Sequence, residues 1–166
     1  MAKSITLGVG GTSDATMRAA LTKLQTNAVD MILNSAALAI GTAKAKILIA
    51  NTVRFMIDGV IYSKATAELT LTTAHSVTAD LFNVLVVSIN AAGTVTVTAG
   101  TAGATLAAVV FPTIPAANVV IGFVIINPTG TGNFVGGTTE LDDATVVPNA
   151  VYVDTPYPFN PNALSL

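Results

Sequence analysis

The only histidine of the chain, His75, is the first side chain to consider for catalysis. It lies in the polar stretch 71–77 (LTTAHSV), and no G-x-S-x-G nucleophile motif is near it. Triad catalysis would have to use this residue. A zinc site would need several His or Cys ligands, and the chain has no cysteine. The sequence therefore predicts that His75 occupies a surface turn between strands.

Three carboxylates, Glu140, Asp142 and Asp143, form the one acidic cluster. Their oxygens are of the kind that binds calcium, but the spacing matches no EF-hand loop and lacks its later glutamate. Glycosidase chemistry would need two opposed carboxylates in a cleft, which a sequence cannot display. The cluster is interpreted as a solvated loop, with a weak candidate cation site as the alternative.

A glycine-rich stretch, residues 8–11 (GVGG), superficially suggests a phosphate-binding loop. Ser13 stands where the Rossmann pattern has its third glycine, and the Gly-Lys-Ser/Thr of a P-loop is missing. We interpret this stretch as an arm that leads into a helix. The sequence thus predicts no catalytic residues, no cofactor and no enzymatic activity.

The most unusual property of the rest of the sequence is its distribution of charge. No Lys, Arg, Asp, Glu or His occurs from residue 81 to residue 139, where an ordinary protein would have about 15 charges. All seven Lys and Arg residues lie in the first 64 positions. Because a lone soluble monomer needs charge for hydration, the run indicates lipid, disorder or a protein assembly.

Composition separates these three explanations. The most apolar segment, residues 104–126, contains Pro112 and Pro115, which would break a membrane-spanning helix. Disordered chains are poor in Val, Ile and Leu and rich in charge, unlike this one. No basic run is present to neutralise phosphates, so nucleic acid is not expected as a partner. Assembly with other protein subunits remains.

The first 40 residues carry a helical pattern. From Ser13 to about Asn34, apolar residues follow a heptad spacing of four, three, four and three. Two interpretations stay open: an amphipathic helix packed on its own domain, or a short seam between copies at an oligomer axis. The positions of this seam are Met17, Leu21, Leu24, Ala28 and Met31.

After Gly41 the period changes from that of a helix to that of strands. Asp58-Gly59 predicts a two-residue hairpin, residues 84–89 and 119–126 have the pattern of buried strands, and residues 94–98 alternate strictly. Shorter strands are predicted at 44–50, 52–57, 68–72, 145–147 and 150–153. Turn signals about every 8 to 12 residues are typical of a sandwich or barrel. The predicted fold is all-β, an antiparallel β-sandwich or jelly-roll-like barrel with an N-terminal arm and a short α-helix.

The predicted organisation has three parts. Residues 1–40 form the arm and helix for anchoring or oligomerisation, residues 41–155 the β domain, and residues 156–166 an extended proline-rich tail. Edge strands of natural sheets are usually protected by charge, especially Lys. The late strands lack that protection, which favours coverage by neighbouring subunits.

Four segments of the β part resemble tailed-bacteriophage virion proteins: residues 55–64 (FMIDGVIYSK), 87–98 (VSINAAGTVTVT), 134–142 (FVGGTTELD) and 151–154 (VYVD). The resemblance implies a capsid auxiliary protein, that is, a decoration, cement or head-fibre protein. Such proteins are usually trimeric and sit on the virion surface, bound to the major capsid protein, without catalytic residues. The expected partners are therefore further copies of the chain and the major capsid protein, with no membrane and no nucleic acid.

Two alternative functions are compatible with the sequence. A tail or baseplate subunit would share nearly every one of these sequence features. A receptor- or glycan-binding fibre tip would need an aromatic groove, for which the candidate residues are Tyr62, Tyr152, Tyr157 and Phe159.

Overall fold

The structure, a computed structural model, describes residues 15, 17, 18, 30–148 and 150–155. Over these residues the fold is all-β and sandwich-like. The strands are β1 Met31–Ile32, β2 Leu38–Ile40, β3 Lys46–Ile49, β4 Val53–Ile57, β5 Val60–Lys64, β6 Ala67–Thr70, β7 Asn83–Asn90, β8 Val95–Ala99, β9 Asn118–Ile126 and β10 Val151–Asp154. Two short 3-10 turns, Thr73–His75 and Leu106–Ala108, interrupt the connections.

The strands form three antiparallel sheets. The order is β1-β4-β5 in the first, here called the hairpin sheet, and β2-β3-β6 in the second, here called the short sheet. The third, the large sheet, has the order β10-β9-β7-β8. The main core lies between the large sheet and the two smaller sheets, and it contains side chains from all three.

The two central strands of the large sheet are buried on both faces, as their nearly continuous apolar sequence predicts. In β7, Leu85, Val87 and Ile89 point into the main core. Val84 and Val86 point to the other face, which we call the outer face, where a second small cluster includes Val109 and Phe111. Residues 101–117, here called the flap, cover this part of the outer face.

The β4–β5 hairpin has the turn that its sequence predicts. Asp58 and Gly59 have φ angles of 50° and 76°, the left-handed region that a two-residue type I′ turn requires and that Gly adopts most readily. The register pairs Ile57 with Val60 and Phe55 with Tyr62. Because paired residues point to the same face, Tyr62 stacks on Phe55 at 5.6 Å between ring centroids.

Three sequence predictions need correction. The predicted helix does not continue to Asn34, because Met31 belongs to β1 and pairs with Met56. The β domain begins before residue 41, since β1 and β2 are strands of the two smaller sheets. Residues 145–147 form a turn instead of a strand, because Thr145 and Val146 donate their N–H groups to the Asp143 side chain.

Most of the remaining N-terminal prediction lies outside the described residues. Ala15, Met17 and Arg18 have helical backbone, in agreement with the predicted helix. Leu21, Leu24 and Ala28 of the predicted seam, the arm before residue 15 and the tail 156–166 are outside the described part. No helix among the described residues is long and apolar enough to cross a membrane.

Candidate assembly surfaces

His75 is held in the fold through both of its ring nitrogens. Nδ1 accepts a hydrogen bond from the main-chain N–H of Thr72 at 2.9 Å, so the ring proton is assigned to Nε2. Nε2 then donates to the carbonyl of Val97 in β8 at 3.0 Å. The ring connects the 3-10 turn to the large sheet, and this use of both nitrogens is structural.

The bond to Val97 protects an edge of the large sheet. Gly100 N donates to Val84 O and Asn90 N donates to Thr94 O. These two bonds show that the even-numbered residues of this strand bond to β7. Since hydrogen bonds alternate along an antiparallel pair, the N–H and C=O groups of Val97 and the other odd-numbered residues point away from β7. His75 therefore occupies one of the acceptors on this uncharged edge, a role that the sequence did not indicate.

The acidic cluster does not converge on a cation site. Asp142 forms an ion pair with Lys44 at 2.8 Å, and this contact raises the pKa of the Lys44 amine, chiefly through the hydrogen bond and the charge of Asp142. Asp143 accepts the N–H groups of Thr145 and Val146 at 2.8 and 3.0 Å, while Glu140 is exposed. Among the described residues no group of three or more His, Cys, Asp or Glu side chains could hold a metal ion.

The first apolar surface lies on the solvent side of the hairpin sheet. Met31, Met56 and Ile61 form a row across its three strands, because Met31 pairs with Met56 and Met56 with Ile61. Their neighbours Ile32, Phe55 and Ile57 point into the core instead. Ile61 is 64% exposed, and Leu33 beside this row is 43% exposed. We call Met31, Leu33, Met56 and Ile61 the hairpin-sheet patch.

The second apolar surface is the part of the outer face that the flap leaves open. Ile125 pairs with Val84 on one side and with Val151 on the other, so all three point to the outer face. Val151 is 47% exposed, and Val110 at the surface of the flap is 58% exposed. No formally charged residue occurs in the flap or in β7, β8 and β9, which form most of this surface.

The two candidate aromatic residues within the described part, Tyr62 and Tyr152, are each partly buried in the fold. Tyr62 lies stacked against Phe55 and is half-buried. The Tyr152 hydroxyl is buried, and burial, with a smaller contribution from Asp142, raises the pKa of Tyr152 to about 12. The other two candidates, Tyr157 and Phe159, lie outside the described residues.

No family model, curated protein or solved structure matches this chain.

The two apolar surfaces were only partly visible in the sequence. The uncharged run indicated that some face of residues 81–139 would be covered, but it could not separate core positions from surface positions. The hairpin-sheet patch went unnoticed because Met31 fits the preceding heptad as well as a strand. The signal that could have found it is Ile61, an apolar residue directly opposite Met56 in the predicted two-residue hairpin.

Proposed function

We propose that this chain is a structural subunit of a tailed-bacteriophage particle. It decorates or cements the outer surface of the capsid as a homo-oligomer, expected to be a trimer, and it binds the major capsid protein. The sequence resemblance suggests the particle. The observation that carries the self-association is the uncharged outer face of the large sheet, on which Val110 and Val151 are about half-exposed.

The uncharged outer face has the composition of the centre of a protein interface. A stable interface covers roughly 800 Å² on each partner and has an apolar, charge-depleted centre. The outer face offers such a centre between the flap and β10, whereas the described ion pairs, Lys44–Asp142 and Lys46–Glu68, lie elsewhere. Binding across boundaries between capsid subunits would stabilise the shell by mass action, since the ligand recognises only the assembled state.

Light scattering on the purified chain tests self-association. We expect an oligomer at micromolar concentration, and we expect the double variant Val110→Lys/Val151→Lys to be a folded monomer. The matched control is Thr70→Lys, which adds a lysine to an exposed position of β6 in the short sheet. A wild-type chain that stays monomeric at high concentration would contradict this part of the proposal.

The position on the particle needs a separate experiment. Gold-labelled protein, added to particles of the phage whose genome encodes the chain, should mark the head in negative-stain images. Label on the tail would instead favour a tail or baseplate subunit. We expect the cationic N-terminal third to face the shell, so Lys3→Glu/Arg18→Glu/Lys23→Glu should weaken attachment without changing the oligomer.

A further inference from the structure

Strand β5 lies at an edge of the hairpin sheet. The order of this sheet is β1-β4-β5, so one side of β5 pairs with β4, and no strand of the described part pairs with the other side. An unpaired edge offers its N–H and C=O groups to any strand that approaches it, and natural proteins usually protect such edges. The first two residues of β5 are instead large, apolar and exposed: Val60 is 51% and Ile61 64% exposed.

The hydrogen bonds of β4 show which residues of β5 face this edge. The Arg54 carbonyl accepts the Leu33 N–H at 2.8 Å, so Arg54 bonds towards β1 and its neighbour Phe55 bonds towards β5. Phe55 pairs with Tyr62. The main-chain groups of Tyr62 therefore point to β4, and those of its two neighbours in the strand point to the free edge.

A second copy of β5 fits this edge in an antiparallel register. A two-fold axis at Ile61 brings this residue opposite the partner's Ile61. Because both residues direct their main-chain groups outward, they can exchange N–H···O=C bonds. Antiparallel pairing keeps every side chain on its own face of the sheet, so the hairpin-sheet patches of the two copies join into one apolar row across six strands.

The flanking residues match in the same register. Val60 comes opposite the partner's Tyr62, and an aromatic ring beside a β-branched side chain is a favourable cross-strand pair. Lys64 comes opposite the partner's Asp58, which is exposed, and the symmetry repeats this pair of opposite charges. A two-fold axis at Tyr62 would instead place Lys64 opposite the partner's Val60. The charges and the apolar row thus both favour the axis at Ile61.

We infer that β5 pairs with β5 of a second copy of this chain, antiparallel and with the two-fold axis at Ile61. This inference goes beyond the proposed function and does not depend on it, because the hairpin sheet lies on the other side of the main core from the outer face. The strand has only five residues, so the contact falls short of the roughly 800 Å² per partner of a standard interface and is weak by itself. Where copies are held close together, such a contact links neighbouring oligomers.

Single cysteines test the register, and the absence of cysteine from the chain gives a clean background. In Ile61→Cys the two Cα atoms would lie about 5.5 Å apart, within the range that a disulfide spans. In the control Ser63→Cys, which is also exposed, they would lie about 14 Å apart, too far for a disulfide. With oxidised glutathione, we expect Ile61→Cys to form a disulfide dimer at least roughly tenfold faster, because the pairing gives its thiols a high effective concentration.

Two other results would overturn the inference. Equal rates for the two variants would mean that the cross-link forms by random collision. A mixture of both variants that forms the mixed disulfide fastest would place the axis at Tyr62.

The same cross-link in a second background separates this inference from the proposed function. The Val110→Lys/Val151→Lys variant is designed to lack the outer-face contact, so Ile61→Cys cross-linking should persist in it. Persistence supports β5 pairing whether or not the outer face forms an oligomer. Loss of the cross-link in this background would assign it to the outer-face oligomer and overturn the inference.

Charge exchange supplies a second readout. In the Ile61→Cys background, Lys64→Glu and Asp58→Lys each place like charges opposite each other, which destabilises a strand pair. A mixture of the two variants restores both attractions, so we expect the mixed disulfide, identified by its mass, to exceed the share of about half that random pairing gives. A mixed product at that random share, from folded variants, would contradict the inference.

Discussion

Asp154 provides the sharpest test of how the sheets are held together. It ends β10 at the edge of the large sheet, and its carboxylate reaches the connection between β1 and β2. One oxygen accepts the Ser35 hydroxyl at 2.6 Å, and the other accepts the Leu38 N–H at 3.1 Å. These contacts join residues more than a hundred positions apart, so the substitution Asp154→Ala should loosen the packing of the large sheet against the smaller sheets.

The expected loss follows from the two bonds. A hydrogen bond to a charged group contributes about 1.5–3 kcal/mol. Because the site is only partly buried, we take about 1–2 kcal/mol for each of the two bonds, at or below the low end of that range, and expect Asp154→Ala to reduce the free energy of unfolding by about 2–4 kcal/mol. With a urea slope near 2 kcal/mol/M, the unfolding midpoint should fall by about 1–2 M.

Urea unfolding followed by circular dichroism measures this shift, and Asp142→Ala is the matched control. Asp142 also has a short contact, 2.8 Å to Lys44, but both side chains are about half exposed. Exposed ion pairs typically contribute less than about 1 kcal/mol. If Asp154→Ala lowered the midpoint no more than Asp142→Ala, the assignment of Asp154 as the link between the sheets would be refuted.

Three further substitutions test individual features. Tyr152→Phe should be neutral or stabilising by up to about 1 kcal/mol in thermal unfolding, because the buried hydroxyl has no partner among the described residues. Burial raises the pKa of Tyr152 from 10.0 to about 12, so the wild type should lose stability as the pH rises from 10 to 12. The Tyr152→Phe variant should lack this loss and the tyrosinate titration near pH 12. The hydrogen bond from the Thr42 N–H lowers the pKa of Glu68 below 4.5, so ionised Glu68 stabilises the fold above that pH and this contribution is lost in acid. Glu68→Gln should therefore make stability, measured by urea unfolding, depend less on pH in the acid range. An unchanged pH profile would contradict the role of this bond. Gly59→Ala should lower the free energy of unfolding by about 1 kcal/mol, measured in urea, because its φ of 76° suits glycine, whereas Ala92→Gly in the neighbouring hairpin should cost less.

The sequence predicted those elements whose pattern is long enough to have a period. The apolar runs at 84–89 and 119–126 became β7 and β9, and the alternation at 94–98 became β8. Asp58-Gly59 fixed the register of a hairpin because its turn type leaves little choice. Each of these signals is local, so the sequence alone was sufficient.

The prediction failed where long-range pairing determines the structure. β1 has two residues and β2 has three, too few for any periodicity to distinguish strand from helix. Met31 is in a strand because it pairs with Met56, twenty-five positions later. The roles of His75 and Asp154 depend on carbonyl and N–H groups of distant strands, and no pattern in the sequence of either segment indicates them.

The structure changes what the uncharged run says about assembly. Within the uncharged run, β7 and β9 have a core on each face, so their lack of charge follows from burial within one chain. That explanation does not extend to Val110, which points outward from the flap, or to Val151, which continues the same apolar face beyond the run. Burial within one chain thus accounts for the interior of the large sheet, and the part of its uncharged composition that burial leaves unexplained is the exposed apolar part of the outer face, between the flap and β10.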